Sequence, residues 1–130
     1  SKDNLNKFGI FCTEHYYQLA IERITQEQPD TCFFVFSDDI LWVQKNMCIP
    51  NAHFVDCHHG DDSWKDLFLM SCCRHNIIAN STFSFWAAML NPNPNKIVFY
   101  PQRWFYWETP DIFPDSWISI NTEEVERKYL

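Results

Sequence analysis

Short continuous apolar runs alternate with stretches of helical spacing, and this alternation restricts the fold more than any other feature. Cys32-Phe33-Phe34-Val35-Phe36 is apolar at five successive positions. A strand with one solvated face alternates apolar and polar residues, so an unbroken run predicts a strand covered on both faces. Before it, Tyr16 or Tyr17, Ala20, Ile21 and Ile24 recur at helical spacing from Thr13, and the pattern stops before Pro29. After it, Ser37, Asp38 and Asp39 are cap-type residues leading into a short helix through Trp42 and Met47. Pro50-Asn51 reads as a turn, and His53 to Val55 as a brief strand.

The same alternation continues downstream. Gly60 to Ser63 is a polar loop, and Ser63-Trp64-Lys65-Asp66 has the capping-box form, opening a helix through Leu67, Leu69, Met70 and Cys73. Asn76 to Ala79 predicts a third strand. Ser81 to Leu90 predicts a helix with Trp86 at core spacing, stopped by Asn91-Pro92-Asn93-Pro94-Asn95. Lys96 to Tyr100 and Trp117 to Ile120 read as further strands, and Asn121 or Thr122 as the cap of a charged terminal helix ending near Tyr129. Helices alternating with apolar strands predict an α/β fold: a Rossmann-like three-layer domain with a mainly parallel sheet.

With 130 residues the chain suffices for one compact domain, expected over 1–130, and 12 Phe, 6 Trp and 5 Tyr supply its core. A formal charge of −7 argues against a nucleic-acid partner, which requires a basic face. No apolar run reaches the roughly 20 residues of a membrane span, and the opening Ser-Lys-Asp-Asn lacks signal-peptide character. Two glycines, Gly9 and Gly60, exclude both a GxGxxG fingerprint and a P-loop. Six cysteines in or beside apolar runs read as free, buried small hydrophobes rather than as a disulfide framework.

In an open parallel sheet, ligands bind beyond the carboxyl ends of the strands. Two segments lie there. At Asn80, Ser81, Thr82, Phe83 and Ser84 a strand runs into a helix N-terminus, whose free N–H groups and partial positive charge favour an anion. Spacing alone favours ordinary capping by Asn80 or Ser81. Asp38 and Asp39, after Ser37, likewise read as a helix cap, as ligands of ribose hydroxyls or as metal ligands. Asp66 reads either as a carboxylate pairing with nucleobase N–H donors or as the far member of the Ser63 capping box. His53, Cys57, His58, His59, Cys72, Cys73 and His75 cluster in sequence but lack CxxC or HxxxH spacing, so no metal is expected. Of the tryptophans in or near the Pro-rich loop, Trp104, Trp107 and Trp117, closing the end of the sheet is the expected role.

Phe33-Phe34-Val35-Phe36-Ser37-Asp38-Asp39-Ile40, His75-Asn76-Ile77-Ile78-Ala79-Asn80-Ser81-Thr82-Phe83-Ser84-Phe85-Trp86-Ala87-Ala88, Asn91 to Val98 and Pro101-Gln102-Arg103-Trp104-Phe105 together resemble the α-1,2-fucosyltransferases of bacterial surface-glycan synthesis, glycosyltransferase family 11. The resemblance covers roughly residues 10 to 120. It implies the C-terminal half of a GT-B glycosyltransferase, with GDP-fucose as donor, a galactose-terminated glycan as acceptor, and no metal or other cofactor. Carried over, Asp66 takes the guanine edge, Ser81 and Thr82 the diphosphate, and the Ser37-Asp38-Asp39 turn shapes the nucleotide pocket. The family's His-x-Arg-Arg-Gly-Asp motif has no counterpart here, since the chain holds no adjacent arginine pair. The expectation is therefore a C-terminal portion, inactive alone and with its general base unassigned. It is expected in the cytoplasm, where GDP-fucose is made, or loosely at the inner membrane. The rival expectation is a non-catalytic nucleotide-binding or protein-interaction domain of the same fold, using the aromatic loop from Trp104 to Trp117 as its contact surface.

Overall fold

A computed structural model describes residues 14–104 and 110–121 of the chain. The predicted terminal helix beyond Asn121, Cys12, the Thr13 helix start and Trp107 lie outside the described residues. Helix α1 spans Glu14–Glu27 and buries Tyr16, Ala20 and Ile24, the spacing expected of one apolar stripe. Strand β1 is Phe33–Ser37, helix α2 Ile40–Asn46 and strand β2 Ala52–Asp56. Between α2 and β2 the chain reverses at Asn51, which takes a left-handed φ of 49° that asparagine tolerates better than most residues. A 3-10 turn at Gly60–Asp62 leads into α3, Ser63–Ser71. Strand β3 is Asn76–Ile77, helix α4 Thr82–Leu90, strand β4 Val98–Pro101 and strand β5 Ile118–Ile120.

Every strand pair among the described residues is parallel, as the apolar runs predict, and the fold is α/β and Rossmann-like. The strands form two sheets rather than one. β1 pairs with β2, Phe33 opposite Ala52, while β3, β4 and β5 lie in that order, Asn76 opposite Val98 and Phe99 opposite Ile118. The three-stranded sheet is the middle of a three-layer core. On one face Phe99 and Ile120 pack with Tyr16, Ala20 and Ile24 of α1. On the other, Ile78 and Val98 pack with Phe85 and Ala88 of α4 and with Trp104 and Trp117. Successive strand residues point to opposite faces, so Val98 and Phe99 serve different layers.

Two polar anchors hold the layers in register. The hydroxyl of fully buried Tyr16 donates to the Ile78 carbonyl just past β3 and lies 3.1 Å from the Phe99 carbonyl of β4. At the opposite end of α4, buried Asn91 donates to the Cys73 carbonyl and to Asn76 Oδ1, both at 2.8 Å. Lys96 Nζ donates to the Ala88 and Asn91 carbonyls at 2.7 and 2.9 Å, supplying a cation where a helix C-terminus is negative. The NPNPNK segment thus fastens the end of α4 to the turn that enters β3.

Four expectations are corrected. β1 is not covered on both faces: none of its residues is fully buried, and Phe34 is 56% exposed, stacked on His53 of β2. The two-stranded sheet has too few described neighbours to cover it. Trp86 is 54% exposed, because Phe85 and Ala88 already occupy the sheet-facing side of α4 and a one-residue step turns Trp86 about 100° away. Ser63 forms no capping box: the 3-10 turn makes Asp62 the residue before α3, and Asp66 bonds elsewhere. The described cysteines are free thiols, but Cys32, Cys48 and Cys72 are exposed and Cys57 and Cys73 half-buried, so none is a fully buried hydrophobe.

Replacing Tyr16 with Phe leaves the Ile78 carbonyl without its buried donor. This is expected to cost about 1–3 kcal/mol, read as a lowered midpoint in urea unfolding at unchanged m-value. A second expectation concerns pH. His75 Nδ1 accepts the Ile97 N–H at 2.8 Å, and burial, then the Arg74 cation, hold the imidazole below its ordinary pKa. The unfolded chain therefore takes up this proton first, and stability falls as pH drops through about 6.5 toward the lower folded value. His75→Gln keeps an acceptor for Ile97 but cannot titrate. Its Tm should fall less than the wild type's between pH 7.5 and 5.5, and parallel curves would contradict the assignment.

Candidate functional site

The segments entering β1 and β3, Pro29 to Cys32 and Cys72 to His75, line opposite parts of one cavity of about 690 Å³. Parallel strands that enter on one side leave on the other, so Ser37-Asp38-Asp39, the Cys57–Asp66 segment and Asn80–Ser84 all fall at the carboxyl edge. This is the edge where α/β sheets bind ligands. None of the sequence-predicted site residues lines the cavity.

At the ends of β1 and β2 the polar groups converge. The Cys57 N–H donates to the Ser37 carbonyl at 3.1 Å, joining the two strand exits. Ser37 Oγ accepts the Asp39 N–H at 3.0 Å, and Asp39 Oδ1 accepts the Trp42 N–H at 3.3 Å, capping α2. Both side chains therefore do the local work that capping requires. Asp38 is exposed. Asp66 is 1% exposed, its Oδ2 accepting the His58 N–H at 2.7 Å and its Oδ1 3.0 Å from His58 Nδ1. Burial, then the carboxylates of Asp66, Asp38 and Asp56, push the Cys57 thiol up to about 11. Cys57 stays protonated at neutral pH, and the same carboxylates make this corner attractive to N–H donors and hostile to anions.

The exit of β3 is the opposite case. Ser81 is the N-cap of α4, its Oγ accepting the Ser84 N–H at 3.2 Å and lying 2.8 Å from Ser84 Oγ. Buried Ser84 passes the bonding on, its Oγ 3.0 Å from the Ala79 carbonyl. The capping reading of Ser81 holds, and Ser84 is structural. Asn80 Nδ2 lies 3.4 Å from the Trp104 carbonyl, tying the strand exit to the loop beyond β4. Thr82 and Phe83 are exposed at the first turn, where backbone N–H groups have no intrahelical acceptor. Among the described residues no acid stands in this turn. It can accept an anion through two N–H groups, the Thr82 hydroxyl and the helix dipole.

The geometry brings Ser37, Asp38 and Asp66 around Cys57 and leaves Asn80–Ser84 as a second polar group on the same edge. Sequence reasoning missed His58, which covers Asp66. An eight-residue separation across a loop and a 3-10 turn carries no periodic signal. Among the described residues, no three His, Cys, Asp or Glu side chains gather in a way that could hold a metal ion. His75, one of the clustered histidines, instead bonds Ile97 and Gln28.

Comparison with known proteins assigns the family. The sequence profile of glycosyl transferase family 11 matches residues 3–121. The chain is 41% identical over 117 residues to the O-antigen biosynthesis glycosyltransferase WbnK of Escherichia coli, covering 88% of this chain and 39% of that protein. It is 37% identical over 119 residues to an alpha-1,2-colitosyltransferase of Escherichia coli, covering 88% and 41%. Over 84 residues it is 29% identical to the mouse galactoside 2-alpha-L-fucosyltransferase Sec1, covering 63% and 23%. The chain thus spans about two-fifths of the length of the bacterial relatives. No solved structure matches it. A profile match over most of the chain, running through the strand that closes the sheet, places these residues in one lineage: the chain belongs to glycosyltransferase family 11.

Proposed function

We infer that this chain is the donor-binding portion, a single domain and the C-terminal half of a GT-B enzyme, of an inverting α-1,2-fucosyltransferase. Its substrate is GDP-fucose, and the acceptor is the 2-hydroxyl of a terminal galactose. The observation that carries this reading is the division of charge along the carboxyl edge. One end holds buried and exposed carboxylates, which suit the N–H edge of guanine. The other is an uncapped-by-acid helix start, which suits a diphosphate.

In this reading Asp66 takes guanine through its carboxylate once the half-exposed His58 ring swings aside, while the His58 N–H keeps its bond. Thr82 and Phe83 hold the diphosphate through backbone N–H groups and the Thr82 hydroxyl. Ser81, Ser84 and Asn80 hold that turn in place, and Ser37, Asp38 and Asp39 border the nucleotide. The acceptor oxygen attacks the anomeric carbon opposite the diphosphate and gives its proton to a general base not assigned among these residues; the bond from that carbon to the β-phosphate oxygen breaks, and its electron pair leaves with GDP. Charge grows on the diphosphate in an oxocarbenium-like transition state, so donors already aimed there lower the barrier. The α4 N-terminus supplies part of that stabilisation without a metal. The chain has no adjacent arginine pair to supply more, and we expect these 130 residues to bind donor without turning it over. Among the described residues no helix is long and apolar enough to cross a membrane. Because the donor is made in the cytoplasm, we assign the reaction there or loosely at the inner membrane.

The relative named as a colitosyltransferase favours a second donor, in which colitose replaces fucose on the same nucleotide. In the competing reading as a protein-interaction domain, Trp104 and Trp117 are core residues, 3% and 6% exposed, so its contact surface would have to come from the residues between them.

Calorimetric titration with GDP, GDP-fucose and UDP tests the assignment. The wild type should bind both guanine ligands and not UDP. Thr82→Ala should weaken GDP about tenfold, the loss of one hydrogen bond to a charged group. Asp66→Asn, which turns one acceptor into a donor, should erase the preference for GDP over UDP. Unchanged titrations in both variants would refute the assignment.

A further inference from the structure

The hydrogen-bond register of the two sheets fixes which backbone groups face the cavity between them. In a parallel strand each residue directs its N–H and C=O to one side, and successive residues alternate. The Phe33 N–H donates to the Asn51 carbonyl at 3.0 Å, and the Cys57 N–H donates to the Ser37 carbonyl at 3.1 Å, so Phe33, Val35 and Ser37 face β2. Phe34 and Phe36 therefore point their backbone groups the other way. On β3 the Asn76 and Ile78 N–H groups donate to the Ile97 and Phe99 carbonyls, both at 3.0 Å, which turns Ile77 away from β4. Phe34, Phe36 and Ile77 all line the cavity, and no backbone hydrogen bond reaches them on that side. Thus β1 and β3 turn two open edges toward one space.

We propose that this space is a strand-acceptor groove, filled by one extended apolar segment of a longer polypeptide that runs parallel to β1 and β3 and bonds both. Volume is the first argument. Two strands paired directly lie about 4.8 Å apart and leave no cavity between them. One residue of a strand covered on both faces occupies about 4.8 by 3.3 by 10 Å, or about 160 Å³. The cavity of about 690 Å³ therefore holds about four residues, close to the five of β1. Ile24 of α1 and Met70 of α3, from opposite layers, both line it, so the segment is apolar on both faces. Such a neighbour also covers the flank of Phe34, which is 56% exposed.

Chain order is the second argument, and it selects the occupant. The last residues of α1 reach the entries of β1 and β3, where the Gln28 and His75 side chains lie 3.1 Å apart. Its first turn reaches the exit of β3, where the Tyr16 hydroxyl meets the Ile78 carbonyl. The chain thus comes into α1 from the carboxyl edge, which is where a parallel strand in the gap ends. Numbered from that strand, the order across the sheet becomes 3-2-1-4-5-6, the doubly wound arrangement. This chain covers 39% of WbnK, so the rest of such a protein is the source of the segment. The inference rests on family membership and not on the nucleotide assigned above.

Amide hydrogen exchange on the ¹⁵N-labelled 130-residue chain tests the proposal. The probes are overlapping synthetic peptides of about twelve residues that tile the part of WbnK outside the matched stretch. In the chain alone, the Phe34, Phe36 and Ile77 amides should exchange at least about tenfold faster than those of Phe33 and Val35. One peptide should slow all three by about 100-fold or more. The same peptide N-methylated at alternate residues should lose the effect, a control that leaves the protein unaltered. Phe34→Pro removes a donor from the open edge only and should weaken that peptide about tenfold. If the three amides are as protected as Val35 in the chain alone, β1 and β3 pair directly and the proposal falls. It falls equally if no peptide protects them, or if protection survives N-methylation or, in a folded variant, Phe34→Pro.

Discussion

The carbonyl of Ile78 is the polar group on which the candidate site depends. β3 ends at Ile77, so the buried carbonyl of Ile78 falls just past the strand, and an unpaired buried carbonyl is costly. The Tyr16 hydroxyl meets it from the opposite layer. The chain can therefore leave the sheet at Ala79 and start α4 three residues later, with Ser81 and Ser84 absorbing the bonds of the turn. Asn91 and Lys96 fix the far end of the same helix. Held at both ends, α4 presents its first turn to the carboxyl edge with little freedom to retreat.

The same edge carries two opposed electrostatic environments. The exits of β1 and β2 gather carboxylates around Cys57, and these add to burial in raising that thiol's pKa. The exit of β3 offers backbone N–H groups and a helix dipole. A ligand with N–H donors at one end and negative charge at the other matches both, and a guanine nucleotide diphosphate has that polarity. With two glycines in the chain, neither within twenty positions of this turn in sequence, the proposed anion site is a hydroxyl-capped helix start rather than a glycine-rich loop.

Much of the fold is legible in the sequence because its signals are periodic. The stripe of Tyr16, Ala20 and Ile24, the apolar strands and the Asn-Pro stop after Leu90 each leave a pattern that local physics reads. What is not legible depends on neighbours. From Phe85 to Leu90 every residue is apolar, and the hydroxyl of Ser84 is buried, so no polar position marks the outward side of the helix, which is why Trp86 read as core and lies outside. A five-residue apolar run reports that a strand avoids water, not what covers it, and Phe34 is half bare. Ser81 as a cap was visible. The His58–Asp66 pairing was not, because it is made across a loop and not along one element.

The proposed function requires the first turn of α4 to receive a diphosphate. Backbone amide shifts of the ¹⁵N-labelled chain, titrated separately with guanosine and GDP, measure this at the atoms concerned. The expected result is that Thr82 and Phe83 amides move with GDP and stay still with guanosine, while the His58 amide responds to both. Thr82 and Phe83 amides that ignore GDP while other residues shift would contradict it.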